Sequence, residues 1–271
     1  MTKISALNYY GGKSCISTGR IGVWIASLLP WHRDQTYIEP FAGMLGVLLQ
    51  RAPVKCEIAN DTNGHIVHWW KTVRDHGEEF NKKLAFTPHS RQILEESIDA
   101  LNEGNLEGMD LALAIHAKLT MGINQGRNFS VTYNGRMRRD HTDNILVLQK
   151  RIKRVMLENR CALQVIERVM HLEHVCLYLD PPYENADTSP YGDNTVDFDA
   201  LRDLLSSDTV KSRIAISGYG DSYDVLGWQR HEKVVTQSGR VHDKSLGPRT
   251  KRTEVLWTNY SPQKQASIFD E

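Results

Sequence analysis

The chain has 271 residues, is 40% hydrophobic and 24% charged, and sets 33 Lys and Arg against 33 Asp and Glu. This is ordinary globular composition, and no apolar run approaches the ~20 residues that cross a bilayer, so a membrane-spanning helix is excluded. Four scattered cysteines without a Cys-x-x-Cys pair, and a start at Met1 to Ser5 that enters no apolar run, argue against a disulfide scaffold and a secretory signal; a cytoplasmic setting is expected.

Tyr9-Tyr10-Gly11-Gly12-Lys13-Ser14 is a glycine turn between aromatic rings and a lysine. It has too few spacing glycines for a Walker phosphate loop. Apolar spacing predicts a helix over residues 21–29, stopped by Pro30, and a short strand over 36–39, stopped by Pro40. Phe41 to Gly46 is a glycine-containing turn that enters a helix over 47–51; a second strand over 54–59 ends at Asn60-Asp61. Strand, glycine turn, helix, strand and acid in that order open a nucleotide-binding α/β unit. The distance from Gly43 to Asp61 matches the roughly 20 residues that separate such a turn from a ribose-binding acid.

Residues 62–125 read as helices, with cores at 66–75, 91–101 and 109–121. The segment 124–145 is rich in Gly, Asn, aromatic residues and arginine, the composition of a recognition hairpin or loop. Asn, Gln and Arg read base edges bidentately, which makes Arg127, Asn128, Arg136, Arg138 and Arg139 the DNA-contact candidates. A helix is expected over 146–156, strands over 162–166 and 175–179, and a helix over 199–205. A strand over 213–217 runs into Gly218-Tyr219-Gly220, a helix starts at Asp221, and strands at 234–235 and 254–257 flank a basic loop. Trp69 and Trp70 read as packing rings. The spaced pairs His65/His68 and His171/His174 supply too few converging ligands, so no metal is expected.

Zero net charge conceals an uneven distribution. Residues 92–110 hold six acids and no Lys or Arg, residues 127–160 hold nine basic residues against three acids, and residues 228–252 hold seven against two. Two basic blocks in a neutral chain fit a bipolar molecule with one phosphate-facing side, although 150–154 alone reads equally well as a solvated helix face.

Asp180-Pro181-Pro182-Tyr183 is the most informative stretch. It follows the apolar strand Val175 to Leu179, and two prolines cannot continue a sheet, so an acid and a ring are held on a stiff turn at a strand end. Open α/β sheets place their ligands there. The set suits methyl transfer to an exocyclic amino group. Such a nitrogen is a poor nucleophile because its lone pair is delocalised into the ring; a carboxylate and the Pro181 carbonyl, accepting its two hydrogens, would free that pair. Tyr183 offers a face on which a base can stack.

Four islands in one order, Tyr9 to Lys13, Glu39 to Gly46, Asp180 to Tyr183 and Arg252 to Tyr260, resemble the Dam-type, D12-class DNA adenine-N6 methyltransferases. The resemblance implies a doubly wound, Rossmann-like α/β sheet, mostly parallel with one antiparallel strand. It implies an S-adenosylmethionine-binding catalytic domain formed by residues 1–61 and 160–271, and a mainly helical target-recognition insertion at 62–159. It also implies S-adenosylmethionine as donor, a flipped adenine of double-stranded DNA as acceptor, and action as a monomer in a bacterial or phage-infected cell. Tyr9, Lys13, Phe41, Gly43, Asp61 and Asp180 fall on donor-binding positions; Asp180, Pro181, Pro182 and Tyr183 fall on the catalytic ones. The chain departs from the family at two places: Leu45 stands where a second glycine is expected, and Cys161 where relatives carry an acid beside the donor's adenine. Cytosine N4, RNA adenine or a glutamine amide as acceptor, and a degenerate DNA-binding homologue without turnover, are the alternatives.

Overall fold

The computed structural model describes residues 4–7, 12–13, 21–123, 128–129, 135–183, 196–236 and 251–262. In chain order the strands are β1 (Thr36–Glu39), β2 (Cys56–Asn60), β3 (Gly122–Ile123), β4 (Asn128–Phe129), β5 (Val155–Glu158), β6 (Val175–Leu179), β7 (Arg213–Gly218), β8 (Gln229–Thr236) and β9 (Lys251–Thr258). The helices are α1 (Ile21–Leu28), α2 (Gly64–Phe86), α3 (Arg91–Glu103), α4 (Gly108–Met121), α5 (Gly135–Ile152), α6 (Ala162–Val169) and α7 (Phe198–Leu205).

Among the described residues, seven strands form one sheet in the order β5-β2-β1-β6-β7-β9-β8, and β3 and β4 form a separate antiparallel pair. Within the seven-stranded sheet only β9 runs against its neighbours β7 and β8; the other pairings there are parallel. This is the expected Rossmann-like sheet with one antiparallel strand.

The central strand β6 is buried along its whole length, as a parallel strand covered on both faces must be. Its side chains alternate between two cores. Cys176 and Tyr178 join Tyr37, Ala215 and Leu256 under α1, α2 and α5. Val175, Leu177 and Leu179 join Ile38, Ile214, Ile216 and Trp257 under α6 and α7. From β1 the chain moves outward one way to β2 and β5, and from β6 the other way to β7. The order therefore reverses between β1 and β6, and the crevice at their carboxyl ends is where this architecture receives ligands.

Helices α2 to α5 lie in the chain between β2 and β5 and pack on one another, α2 against α4 and α5, and α3 against α4. A buried ion pair ties α5 to the sheet: Arg151 meets both Glu57 oxygens at 2.7 and 2.8 Å and donates to the Leu48 carbonyl at 2.8 Å.

Several local expectations are corrected. Residues 162–166 are helical, because Ala162, Val165, Ile166 and Val169 recur at helical spacing behind Cys161 at the N-cap. The helix expected over 146–156 instead spans Gly135–Ile152, so Arg136, Arg138 and Arg139 lie on helical backbone rather than in a loop; their side chains are outside the described ones. Val155 is buried and Met156 half exposed, a two-residue alternation that makes Val155–Glu158 an edge strand on β2. The sheet thus takes its edge from the tail of the 62–159 segment. The helices expected at 47–51 and from 221 are single tight turns, Leu48–Gln50 and Asp224–Leu226.

Candidate active site

The corner after β6 is built as a charged cluster. Asp180 follows the last buried residue of the strand, and its side chain remains 20% exposed at the crevice. Lys13, 5% exposed, donates to Asp180 Oδ1 at 2.8 Å and to the Tyr183 hydroxyl at 2.7 Å. The Tyr183 hydroxyl in turn donates to Glu254 Oε1 at 2.5 Å. Lys13 Nζ is 3.4 Å from that same oxygen. Two turns distant in sequence thus converge with β9 on one set of four side chains.

The cluster continues outward as a ladder of rings. Tyr219, immediately after β7, meets the Tyr183 ring edge-on at 4.1 Å. The Arg252 guanidinium lies 4.2 Å from the Tyr219 ring centroid and donates to its hydroxyl at 3.1 Å. Beneath the corner, the Tyr178 hydroxyl and Ser217 Oγ are hydrogen-bonded at 2.9 Å.

Electrostatics follow from burial. Burial alone would lower the Lys13 ammonium, but the Asp180 and Glu254 carboxylates outweigh it and hold its pKa above the ordinary lysine value. Burial pushes the Asp180 carboxyl above the usual aspartate range, and Lys13 pulls it part of the way back. Burial and the neighbouring carboxylates keep the Tyr183 hydroxyl protonated.

The second half of the crevice is the loop after β1. Asp61, just past β2, accepts the Gly43 N–H on Oδ2 and the Asn63 N–H on Oδ1, both at 2.8 Å. Gly43 has φ 46°, in the left-handed region open to glycine, and Trp70 donates to its carbonyl at 2.9 Å. Asn60 fastens the base of this loop to the Pro40 and Arg160 carbonyls at 2.9 and 3.1 Å. Leu45 also has positive φ, 55°, yet its side chain is fully buried in the core. The position expected to hold glycine does adopt a glycine-like backbone, and the leucine turns its bulk inward. Gly22, at the start of α1, is the unforeseen glycine: a Cβ there would lie 2.3 Å from the Gly46 carbonyl oxygen.

Glu39, at the end of β1, is 2% exposed and accepts the Tyr37 hydroxyl at 2.7 Å. Burial raises its carboxyl to about 8, against the hydrogen bonds from Tyr37 and the Leu48 amide.

Of the expected site residues, the structure brings Lys13, Asp180 and Tyr183 into contact and joins Gly43 to Asp61. Pro181 is buried and Pro182 and Phe41 are half buried, Phe41 against the core under α6 and α7. Asn128 stands exposed on the separate small sheet, where the neighbouring Phe129 is held between His89 and Arg91. Tyr9 and Arg127 lie outside the described residues. Sequence reading missed Tyr219 and Glu254 as members of the cluster. The glycine-flanked ring after a buried strand and the lone acid inside Thr253 to Trp257 were their signals.

A doubly wound sheet with an acidic and aromatic corner at its switch point defines the class as a Rossmann-like methyltransferase. The family model for the D12 class N6 adenine-specific DNA methyltransferases matches residues 9–227, and the chain belongs to that family. No curated protein matches the chain in sequence. Among solved structures it is similar to a precorrin-6y C5,15-methyltransferase from Geobacter metallireducens, at 11% identity over 89% of this chain and 87% of that one, TM-score 0.38. It is also similar to a precorrin 8w decarboxylase from Methanobacterium thermoautotrophicum, at 10% identity over 92% and 96%, TM-score 0.37. A SAM-dependent methyltransferase from Agrobacterium tumefaciens matches at 11% identity over 88% and 60%, TM-score 0.38.

The donor of the family is S-adenosylmethionine. The residues present fit it: a left-handed glycine draws the loop backbone toward an acid at the end of the adjacent strand, beside a carboxylate corner. No described helix is long and apolar enough to cross a membrane.

Proposed function

We propose that this methyltransferase acts on the N6 amino group of adenine in double-stranded DNA. The observation that carries this reading is the Asp180 carboxylate, partly exposed after the end of β6 and joined through Lys13 to the Tyr183 hydroxyl. S-adenosylmethionine, when bound, supplies an electrophilic methyl group on a sulfonium that departs as a neutral thioether. Gly43 and Asp61 hold the donor, Asp61 through ribose hydroxyls, with Phe41 and Tyr9 as further walls of its site.

The amino group is buried in a duplex, so the base must swing out, at a cost of a few kcal/mol. Stacking on Tyr183 offsets about 1–3 kcal/mol of that. Asp180 and the Pro181 carbonyl accept the two amino hydrogens, and Pro182, lacking an N–H, fixes the turn that presents that carbonyl. As the nitrogen bonds to the methyl carbon it becomes cationic, and its surplus proton passes to Asp180, directly or through water. The helical segment between β2 and β5 serves as the target-recognition region, with Arg127, Asn128, Arg136, Arg138 and Arg139 toward DNA. The protein works as a monomer.

The test is methylation of genomic DNA from a methylation-free host with labelled donor, followed by digestion to nucleosides. N6-methyladenine is the expected product. N4-methylcytosine, or label only in RNA or protein, would replace the acceptor named here.

A further inference from the structure

Strand β9 runs against the sheet, and this decides what it brings to the crevice. Its Val255 pairs with Gly218, the last residue of β7, so Glu254 stands one position past the carboxyl end of that strand. An early residue of β9 therefore reaches the end of the sheet where ligands are received. Alternation along the strand puts Glu254 on the same face as Leu256, which packs with Tyr178 in the core under α1.

Glu254 is 1% exposed. A carboxylate so deeply withdrawn from water is costly unless paired, and one of its oxygens receives both the Tyr183 hydroxyl at 2.5 Å and the Lys13 ammonium at 3.4 Å. Lys13 thus faces two acids at once: Asp180 at hydrogen-bonding distance and Glu254 slightly farther away. In this arrangement the ammonium occupies Asp180 Oδ1, and an amino group that approaches this oxygen competes with it. A buried lysine will not leave one carboxylate unless another is within reach.

Resting on the amino-methyltransferase reading, we propose that Glu254 is a positioning residue that receives the Lys13 ammonium when the acceptor amino group engages Asp180, while holding the Tyr183 ring by its hydroxyl. The lysine keeps a counter-charge throughout. Asp180 is released without the lysine having to cross into water. Both acids are required: one meets the acceptor and the other holds the displaced cation.

The test compares wild type, Glu254→Gln, Lys13→Met and the double variant, using labelled S-adenosylmethionine and methylation-free genomic DNA. Glu254→Gln should bind the donor as wild type does by calorimetry and lose roughly 10- to 100-fold in kcat with little change in the KM for DNA, the span expected for a hydrogen bond to a charged group. In the Lys13→Met background the same replacement should cost little, because no ammonium remains to be received. Glu254→Asp, which keeps the charge on a shorter arm, should fall between wild type and Glu254→Gln. It replaces Glu254→Gln in the cycle if thermal unfolding shows the amide variant to be unfolded. Losses that simply multiply in the double variant would overturn the role of Glu254 and leave the methyltransferase reading standing. A wild type that transfers no methyl to DNA would take down that reading itself.

Discussion

Lys13 Nζ lies 2.8 Å from Asp180 Oδ1, joining the glycine turn near the start of the chain to the end of the central strand β6. The Asp180 carboxylate, proposed above to meet the acceptor, is thus paired with a buried ammonium. Asp180→Asn keeps the shape of the corner but removes the charge and the proton acceptor. We expect donor binding within a few fold of wild type and methyl transfer reduced by about 10²–10⁴, the range for loss of a positioned acid–base group. Calorimetry with S-adenosylmethionine and single-turnover methylation of DNA separate the two quantities. Transfer at the wild-type rate would remove Asp180 from the chemistry.

Asp61 holds the Gly43 and Asn63 amides with its two oxygens. Replacing it by Ala releases the Gly43 loop and, on the reading proposed above, also removes a ribose partner. Donor affinity should fall about 10- to 100-fold, as expected for hydrogen bonds to a charged group, with a smaller effect on kcat at saturating donor. Equilibrium binding of S-adenosylmethionine is the direct measurement, and unchanged affinity would move the donor site elsewhere.

Glu39 makes stability depend on pH. In the native protein its carboxyl stays protonated up to about 8, whereas in the unfolded chain it ionises near 4.5. Between those values the native state binds a proton that the unfolded state has lost, so stability falls as pH rises through the window and levels off outside it. At about 1.4 kcal/mol per pKa unit the whole window is worth a few kcal/mol. Glu39→Gln should flatten this contribution. Urea denaturation from pH 5 to about 8.5 measures it; equal slopes in both proteins would refute the assignment.

The Arg151 and Glu57 pair should behave as structure and not as a DNA contact. Both side chains are under a tenth exposed. Arg151→Ala strands a buried carboxylate and should cost about 3–5 kcal/mol, while a joint replacement by Met and Leu should recover much of that. Denaturation curves give the stability. The folded double variant should retain the wild-type salt dependence of DNA binding, because no phosphate contact is lost.

Where one physical signal dominated, sequence reading and structure agree. The all-apolar run of β6 with Pro181-Pro182 behind it admits a buried strand and a forced turn, and that is where the corner sits. The strand, glycine turn, strand and acid order from Thr36 to Asp61 likewise announced an α/β unit, and Asp61 does hold the Gly43 amide. Reading failed where short apolar runs suit two periods. Residues 162–166 carry a helix stripe that a five-residue window cannot distinguish from a strand, and Val155–Glu158 follows so closely on α5 that it was absorbed into it. Glu254 stands out in the sequence only as a lone acid in an apolar strand, which does not say what it meets. Its place in the cluster arises from the direction of β9 and from contacts with residues distant in sequence, which no local pattern encodes. Leu45 shows the converse: its left-handed backbone breaks a local rule, and full burial of its side chain offsets the strain.

In the described sheet, β8 hydrogen-bonds to β9 alone, and β9 alone links it to β7. A polypeptide emerging from the ribosome can therefore assemble the parallel strands β1, β2, β5, β6 and β7 and still leave β8 without a place. The arrival of β9 adds β8 to the sheet and delivers Glu254 to Tyr183 and Lys13 in the same event. The β7–β9 pairing therefore couples completion of the sheet's far edge to completion of the charged cluster, so a lesion that unzips this pairing should loosen both together.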